Sequence, residues 1–253
     1  MNVLGTFTLL RKEILRFRRV SLQTLFAPAL STLLYLWVVT HAVISHSASP
    51  ASRAYITFLV PGFALMVALQ NAFANSSSSL MQSKLTGNLV FLLVAPLSPW
   101  EILAAFSLAS ALRGALVSLL VTGVARIFVP FPCEHVVVVA VFTLVGGALL
   151  GALGVLAAVR ARKFDELAAF QNLVVVPMTF LSGVFYAVDA LPAGWRALSR
   201  ANPLYYLVDG CRYGFLGHAE RPPILSLGVA LLATLVVSTL AARALARDAR
   251  IRP

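Results

Sequence analysis

Long runs of apolar residues are the feature that most restricts what this chain can form. Leu22–Ile44 contains no Asp, Glu, Lys or Arg, and comparable runs recur along the rest of the sequence. A helix needs about 20 such residues to cross a bilayer, whereas a membrane barrel is built from shorter, alternating strands. Only 11% of the residues are charged, against roughly 25% in soluble domains. The sequence therefore predicts an all-α integral membrane protein.

Six runs are long enough to be transmembrane helices within one transmembrane domain, residues 1–253. They cover residues 22–44, 55–75, 102–125, 136–159, 168–188 and 222–242. Gly147 and Gly151 in the fourth run have the spacing that lets two helix backbones approach closely. The sequence leaves open whether the helix that packs there belongs to the same chain or to a second one.

Residues 4–19 predict an amphipathic helix ahead of the first transmembrane run. Apolar residues recur at helical spacing, at Phe7, Leu10, Ile14 and Phe17, and the basic residues lie mostly outside this stripe. A helix of this kind lies in the plane of the membrane interface. A basic flank that fixes the orientation of the chain is the alternative interpretation, and the two are compatible.

The positive charges are distributed as in a membrane protein rather than a nucleic-acid-binding one. The net charge is +11, and if both termini are cytoplasmic, 13 of the 20 lysines and arginines lie on the inner side and six on the outer side. Cytoplasmic segments of membrane proteins are enriched in these residues. We therefore expect both termini in the cytoplasm, contact with membrane lipid and no nucleic-acid partner.

The main inner loop, residues 76–99, contains an apolar run that is too short to span a membrane. Leu89–Val94 lies between Gly87 and Pro96, which predicts a short helix with an apolar surface exposed on the inner side. Such a surface needs a groove in another protein to bury it. Because no G-x-x-x-x-G-K-[ST] phosphate loop occurs, we expect a separate cytoplasmic subunit to supply the driving force.

Polar residues inside the predicted spans are candidates for function or for helix packing. Asn71 and Asn75 share one face of the second helix, where amides usually hold helices together and less often line a substrate path. Arg113 lies about 16 Å into the third helix, near the bilayer centre. An intramembrane arginine is by default a functional candidate, and the alternative is a structural arginine held by neighbouring amides and carbonyls.

Metal and disulfide chemistry have little support in the sequence. Cys133 and Cys211 both fall on the predicted outer side, so they can form a disulfide. The alternative is that each is a small apolar side chain that fills space in the core. His41 and His46 are five residues apart and do not share a helix face. We expect no metal site, no catalytic residue and no cofactor in this chain.

The segment from Pro177 to Gly217 begins as a helix and then breaks. Ser182-Gly183 and Pro192 interrupt it, and arginines and aromatic residues follow with no polar loop between them. The pattern predicts a re-entrant helical segment over residues 189–217, on the outer side between the fifth and sixth spans. Aromatic side chains favour the headgroup level. The segment is either a structural cap or an outer gate for cargo.

Several strings in the chain are similar to those of one family. They are KEILRF, FLVPGFALM, NAFAN, LLVAPLSPWEI and PMTFLSGVFYAVDALPAGWRALSRANPLYYLVDGCRYGFLG. In their order and spacing the chain resembles the ABC-2 type permeases, the membrane subunits of bacterial ABC exporters, including those of drug, lipid, glycoconjugate and nodulation-factor export. The resemblance covers nearly the whole chain. It implies a multi-pass protein of the bacterial inner membrane.

The resemblance also implies partners and contact sites. Two permease chains, expected to be a homodimer, would pair with two ATPase subunits that hydrolyse Mg-ATP. The residues implied to contact the ATPase are Leu10, Arg11, Ile14, Gly87, Asn88, Leu89, Phe91, Leu92 and Pro96. The residues implied for the substrate path or outer gate, along the first, second and fifth helices and the cap, are Asn71, Asn75, Pro177, Ser182, Tyr205, Tyr206 and Arg212.

One departure and two alternatives accompany this interpretation. Relatives often carry a charge before the L-L-V-x-P motif, where this chain has Asn88, so charged pairing with the ATPase is in doubt. The family's substrates vary, so the resemblance names no cargo. One alternative is a membrane-embedded enzyme for lipid-linked substrates, which would use the outer residues Asp189, Asp209, Arg196, Arg200 or His218. No nucleophile–base pair can be recognised among them. The other alternative is a membrane anchor for a peripheral partner.

Overall fold

A computed structural model of the chain describes residues 2–19, 21–46, 50–128 and 131–251. In these ranges the chain is helical and forms no strand, which confirms the prediction of an all-α protein. The α-helices are α1 (Val3–Arg19), α2 (Ser21–His46), α3 (Pro50–Leu85), α4 (Leu89–Val94), α5 (Pro99–Phe128), α6 (Val136–Arg160), α7 (Phe164–Phe170), α8 (Val176–Phe180), α9 (Ala193–Ala201), α10 (Pro203–Leu216) and α11 (Pro223–Ile251).

Four described helices are long and apolar enough to cross a membrane. They cover Ala54–Leu85, Pro99–Ile127, Val136–Arg160 and Pro223–Arg247, within α3, α5, α6 and α11. The described apolar part of α2, Phe26–Val39, is shorter. The core lies where α3, α5, α6 and α10 meet, around Phe73, Phe106 and Phe142. We call the two ends of this bundle the α4 end and the α9 end, after the short helix found at each.

The loop predicted over residues 76–99 starts later than expected, because α3 continues as a helix to Leu85. Serine favours turns when its hydroxyl competes for backbone partners. Here two hydroxyls of this serine run are bound to other helices: Ser76 donates to the Gly151 carbonyl at 2.7 Å and Ser79 to Glu13 at 2.6 Å. The short helix expected between Gly87 and Pro96 is present as α4.

The bounds of the fifth helix, predicted as 168–188, are also corrected. The helix starts earlier, at Phe164, passes through a π-helical turn at Gln171–Val175, and ends at Phe180. Pro177 cannot donate a backbone hydrogen bond, so the regular ladder cannot continue through it and the turn before it widens. Gly183 has φ of +75°, a left-handed conformation that glycine adopts readily, and it turns the chain away from the helix axis.

The N-terminal helix α1 forms as predicted, but its buried face only partly matches the predicted stripe, of which Phe17 is buried and Leu10 is partly buried. Leu9, Glu13 and Phe17 are buried, whereas Phe7 from the predicted stripe is 61% exposed. Ile14 is partly buried at the edge. The stripe is rotated because the carboxylate of Glu13 lies inside the protein, bound to Arg16 and Ser79.

The glycine pair of α6 packs against α5 of the same chain, which settles the question that the sequence left open. A Cβ atom on Gly147 would lie 2.7 Å from the Ala111 Cα, and one on Gly151 would lie 3.1 Å from the Ser107 Cα. Both neighbours are backbone atoms of α5 and cannot rotate away. The two helices are therefore in direct backbone contact along this part of the bundle.

Replacing Gly147 with valine is expected to lower the thermal stability of the purified protein. Overpacking costs about 1–3 kcal/mol, and a clash with backbone favours the upper end of that range. Gly228→Val on α11 is the matched control, because nothing lies within 4 Å of a Cβ added there. Thermal unfolding in detergent, followed by size-exclusion chromatography, measures both. Equal stability of the two variants would contradict the packing described here.

Candidate functional site

The α4 end carries a junction that ties α1, α4 and α5 together. The Glu101 carboxylate in the first turn of α5 accepts from the backbone N–H of Ser98 at 2.7 Å, and the Ser98 hydroxyl accepts from the Glu101 N–H at 3.3 Å. This reciprocal pair is a capping box. The second carboxylate oxygen accepts from the backbone N–H of Asn2 at 2.5 Å, and the Asn2 amide donates to the Pro96 carbonyl at 3.4 Å. The start of α1 and the end of α4 are thus fixed to one another.

Helix α4 presents an apolar surface from this junction. Leu89 is buried and Leu92 packs against the core, whereas Phe91 is 77% and Val94 78% exposed. The helix therefore has an inner face that anchors it and an outer face with no partner in the described chain. We define the α4 surface as Val90, Phe91 and Val94. Sequence reasoning named Phe91 but missed Val90 and Val94, which share its outward face.

The other residues that the resemblance assigned to ATPase contact divide into two groups. Arg11, Gly87, Asn88 and Pro96 are exposed, so they are accessible to a partner. Leu10 packs against the core together with Leu92. Gly87 has φ of +76°, and this left-handed turn directs the chain from α3 into α4.

A chain of buried polar side chains runs from α1 into the middle of the bundle. Arg16 on α1 donates to the Asn75 carbonyl at 2.8 Å and to the Asn75 Oδ1 at 3.1 Å. Arg113 on α5 donates to the same Oδ1 at 3.1 Å and to the Asn71 Oδ1 at 3.3 Å. The Asn75 amide also donates to the Ser110 hydroxyl at 3.2 Å. Asn75 is therefore the hub that joins α1, α3 and α5.

The charges along this polar chain are unevenly balanced. Arg16 forms an ion pair with the buried Glu13 at 3.3 Å. Arg113 is only 7% exposed, and no described carboxylate forms an ion pair with it. Its positive charge is held by the amide oxygens of Asn71 and Asn75. The structure thus brings together three residues that the sequence singled out, and adds Glu13, Arg16 and Ser79.

At the α9 end, α10 is held by buried polar contacts. Arg212 donates to the Gly183 carbonyl at 2.9 Å, and its guanidinium carbon lies 3.7 Å from the centroid of the Phe58 ring. The carboxylate of Asp209 accepts from the backbone N–H groups of Glu220 and Arg221, at 2.8 and 2.9 Å, just before α11 begins. These contacts fix α10 against α3, the turn after α8, and the start of α11.

The remaining candidates for the path or gate lie around α10. Tyr205 is buried and donates to Glu220 at 2.9 Å, whereas Tyr206 is partly exposed and packs edge-on against Tyr205. Ser182 is buried and donates to the Thr179 carbonyl at 2.6 Å, and Pro177 is exposed. Of these residues, Tyr206 and Pro177 have surface that a cargo could reach.

The residues of the alternative enzyme hypothesis are engaged in structural contacts. Asp189 forms an ion pair with Arg200 at 2.6 Å, and the hydrogen bond from Arg200 holds the pKa of Asp189 below its ordinary value. Arg196 donates to the Leu191 carbonyl, and His218 lies against the Leu216 carbonyl. Among the described residues, no three His, Cys, Asp or Glu side chains cluster as a metal site requires. Cys133 and Cys211 are free thiols in this structure.

Comparison with known proteins adds independent evidence. Residues 5–216 match the protein family described as ABC-2 type transporter. The inner membrane transport permease YadH of Escherichia coli (strain K12) is 37% identical over 218 residues, which are 86% of this chain and 85% of that protein. Nodulation protein J of Rhizobium leguminosarum bv. viciae is 33% identical over 106 residues, 42% of this chain and 40% of that protein. Nodulation protein J of Neorhizobium galegae is 31% identical over 86 residues, 34% of this chain and 33% of that protein.

Proposed function

This chain belongs to the ABC-2 type transporter family, and from that premise we propose that it is the permease subunit of an exporter driven by a separate ATPase. The family match confirms the resemblance drawn from the sequence motifs. The chain is a multi-pass inner-membrane protein and a component of membrane transport, and its family works with an ATPase subunit. The proposal goes further and assigns the direction, the energy source and the contact surface.

The observation that carries the proposal is the α4 surface together with its attachment to α1. Phe91 and Val94 stand exposed on a six-residue helix. A helix this short is marginal alone, and here the junction through Glu101 and Asn2 supports it. An apolar surface on a rigid support suits a groove in a partner protein. We propose that the ATPase binds there and that its movement is passed to α1 and α5 together.

The assembly follows from the same proposal. Two copies of the chain pair with two ATPase subunits, which bind and hydrolyse Mg-ATP, and the chain itself holds no nucleotide. Six membrane crossings place both termini in the cytoplasm, with the α7–α8 run as the fifth crossing. The cargo is an amphipathic drug, lipid or glycoconjugate that passes between the two copies along α2, α3 and α7–α8. The α9–α10 hairpin caps this path, and Tyr206 faces the cargo.

The proposal is tested by reconstitution with an ATPase subunit encoded beside this chain. We expect the two proteins to purify as a complex, and ATP hydrolysis in proteoliposomes to be higher with the chain than without it. An ATPase subunit that lacks its phosphate-loop lysine provides the control, because it should bind the chain and hydrolyse nothing. Failure of the intact ATPase to bind or respond would contradict the proposal.

Two further outcomes separate the alternatives. Chemical conversion of a lipid-linked substrate by the chain alone, without ATPase, would favour a membrane-embedded enzyme. Stable binding of the ATPase without ATP-dependent movement of any lipid or drug analogue would favour a membrane anchor. The accumulated substrate in a deletion strain identifies which analogue to use.

A further inference from the structure

A groove opens between α5 and α6, and Phe215 of α10 contributes to its lining. It has a volume of about 500 Å³, within the range of about 300–1,000 Å³ that ligand sites occupy. Its walls are mostly apolar, and Ala115, Gly123 and Ala140 provide the space because their side chains are small or absent. Towards the α4 end the groove is closed by the backbone contact of Gly147 with Ala111.

One charged residue lies in this groove, at its open end. Arg126 is exposed in the last turn of α5, and its guanidinium carbon lies 5.6 Å from the centroid of the Phe131 ring. No described carboxylate forms an ion pair with Arg126, and the nearby Glu134 is not among the described residues that line the groove. A cation at a helix C-terminus is stabilised by the helix dipole. The dipole does not explain why an apolar groove extends from Arg126.

The dimensions of the groove match one leaflet of a bilayer. From Ala115 to Arg126 the groove follows α5 for about 16 Å, at 1.5 Å per residue. Half of the hydrocarbon core of a bilayer is about 15 Å thick. Arg126 lies at the end of the apolar run Pro99–Ile127, so it reaches the headgroup level when Ala115 is near the bilayer centre.

We propose that this groove binds an anionic phospholipid, with one acyl chain between α5 and α6 and the phosphate on Arg126. The apolar walls suit an acyl chain, and the unpaired guanidinium suits a phosphate, which it can bind through two parallel hydrogen bonds. Basic pockets between membrane helices recognise anionic headgroups for the same reason. The site is separate from the α4 surface, and Phe215 at the end of α10 contributes to its lining.

Native mass spectrometry of the purified chain tests this proposal without any ATPase. The probes are phosphatidylglycerol and phosphatidylcholine with identical acyl chains, added to delipidated protein. We expect wild type to bind phosphatidylglycerol more tightly than phosphatidylcholine. Arg126→Gln should weaken phosphatidylglycerol binding about fivefold, the factor expected for one basic residue near a lipid surface. It should weaken phosphatidylcholine binding less, because the choline ammonium offsets the charge of the phosphate that both lipids carry.

A second variant fills the groove. Gly123→Leu should remove binding of both lipids at this site, because a side chain at Gly123 enters open space and meets no atom within 4 Å. Gly228→Leu is the matched control, since Gly228 is likewise exposed with open space beside it, and Arg243→Gln controls for the loss of one exposed charge. Both controls should bind lipid as wild type does.

Three results would overturn the proposal. Equal binding of the two lipids by wild type would show that lipid covers the protein without recognition of its headgroup. Unchanged binding by Gly123→Leu would place the lipid elsewhere. A change in the number of chains per complex in Gly123→Leu, read from the same spectra, would make the groove a contact between two copies of the chain.

Discussion

Replacing Phe91 with alanine is expected to abolish most of the stimulation of the partner ATPase while leaving the permease folded. Phe91 is 77% exposed, so the chain loses little packing when the ring is removed. In a groove of the partner the same ring would be buried, and aromatic residues of this kind dominate the energy of interfaces. A loss of about 2 kcal/mol or more corresponds to affinity weaker by about thirtyfold.

The measurement is binding of the purified ATPase to the permease in proteoliposomes, together with the rate of ATP hydrolysis. Phe26→Ala on α2 is the matched control, because Phe26 is similarly exposed but lies within the predicted first membrane crossing. Wild-type binding by the Phe26 variant shows that losing an exposed aromatic ring is not itself harmful. If Phe91→Ala also binds and stimulates the ATPase normally, the α4 surface is not the contact.

The long helices could be predicted because a long run of apolar residues is almost enough by itself to specify a membrane helix. A run such as Leu22–Ile44 has no soluble alternative, and in a bilayer the helix satisfies every backbone group. The short helix α4 could also be predicted, because Gly87 and Pro96 mark its limits. These features depend on local sequence, and no contact between distant residues is needed to specify them.

The features that sequence reasoning missed depend on distant partners. Ser76 and Ser79 look like loop residues until their hydroxyls meet Gly151 and Glu13. The π-helical turn before Pro177 gave no signal beyond the proline itself. In α1, a buried Glu13 contradicts the apolar stripe that the periodicity predicts. An acidic residue three positions before Arg16 was the available clue, because that spacing permits an ion pair on one helix face.

The residues of the candidate site could be predicted from the sequence, but their contacts with one another could not. Asn71, Asn75 and Arg113 stand out in the sequence because polar residues are rare inside membrane helices. The sequence could not show that Arg113 and Asn75 meet, nor that Arg16 from outside the span shares the same amide oxygen. That sharing makes Asn75 the residue on which two cations depend.

Replacing Asn75 with alanine is therefore expected to destabilise the protein more than replacing either arginine. The change removes the Oδ1 atom that accepts from Arg16 and Arg113 at 3.1 Å each. Arg16 keeps the backbone carbonyl of residue 75 and its ion pair with Glu13, whereas Arg113 retains only Asn71. Each hydrogen bond to a charged group is worth about 1.5–3 kcal/mol, and this change removes two of them. Thermal unfolding in detergent and the yield of monodisperse protein measure the loss.

Two further variants separate this explanation from a simple loss of packing. Asn71→Ala, one turn away on the same helix face, removes a single hydrogen bond to Arg113 and should cost about 1.5–3 kcal/mol. In the double variant Asn75→Ala/Arg113→Met, the second cation is gone and an apolar side chain takes its place. The double variant should then be more stable than Asn75→Ala alone, because coupled residues give non-additive effects. If the added Arg113→Met change lowers stability further, Asn75 stabilises the bundle by its volume, and the shared-oxygen explanation fails.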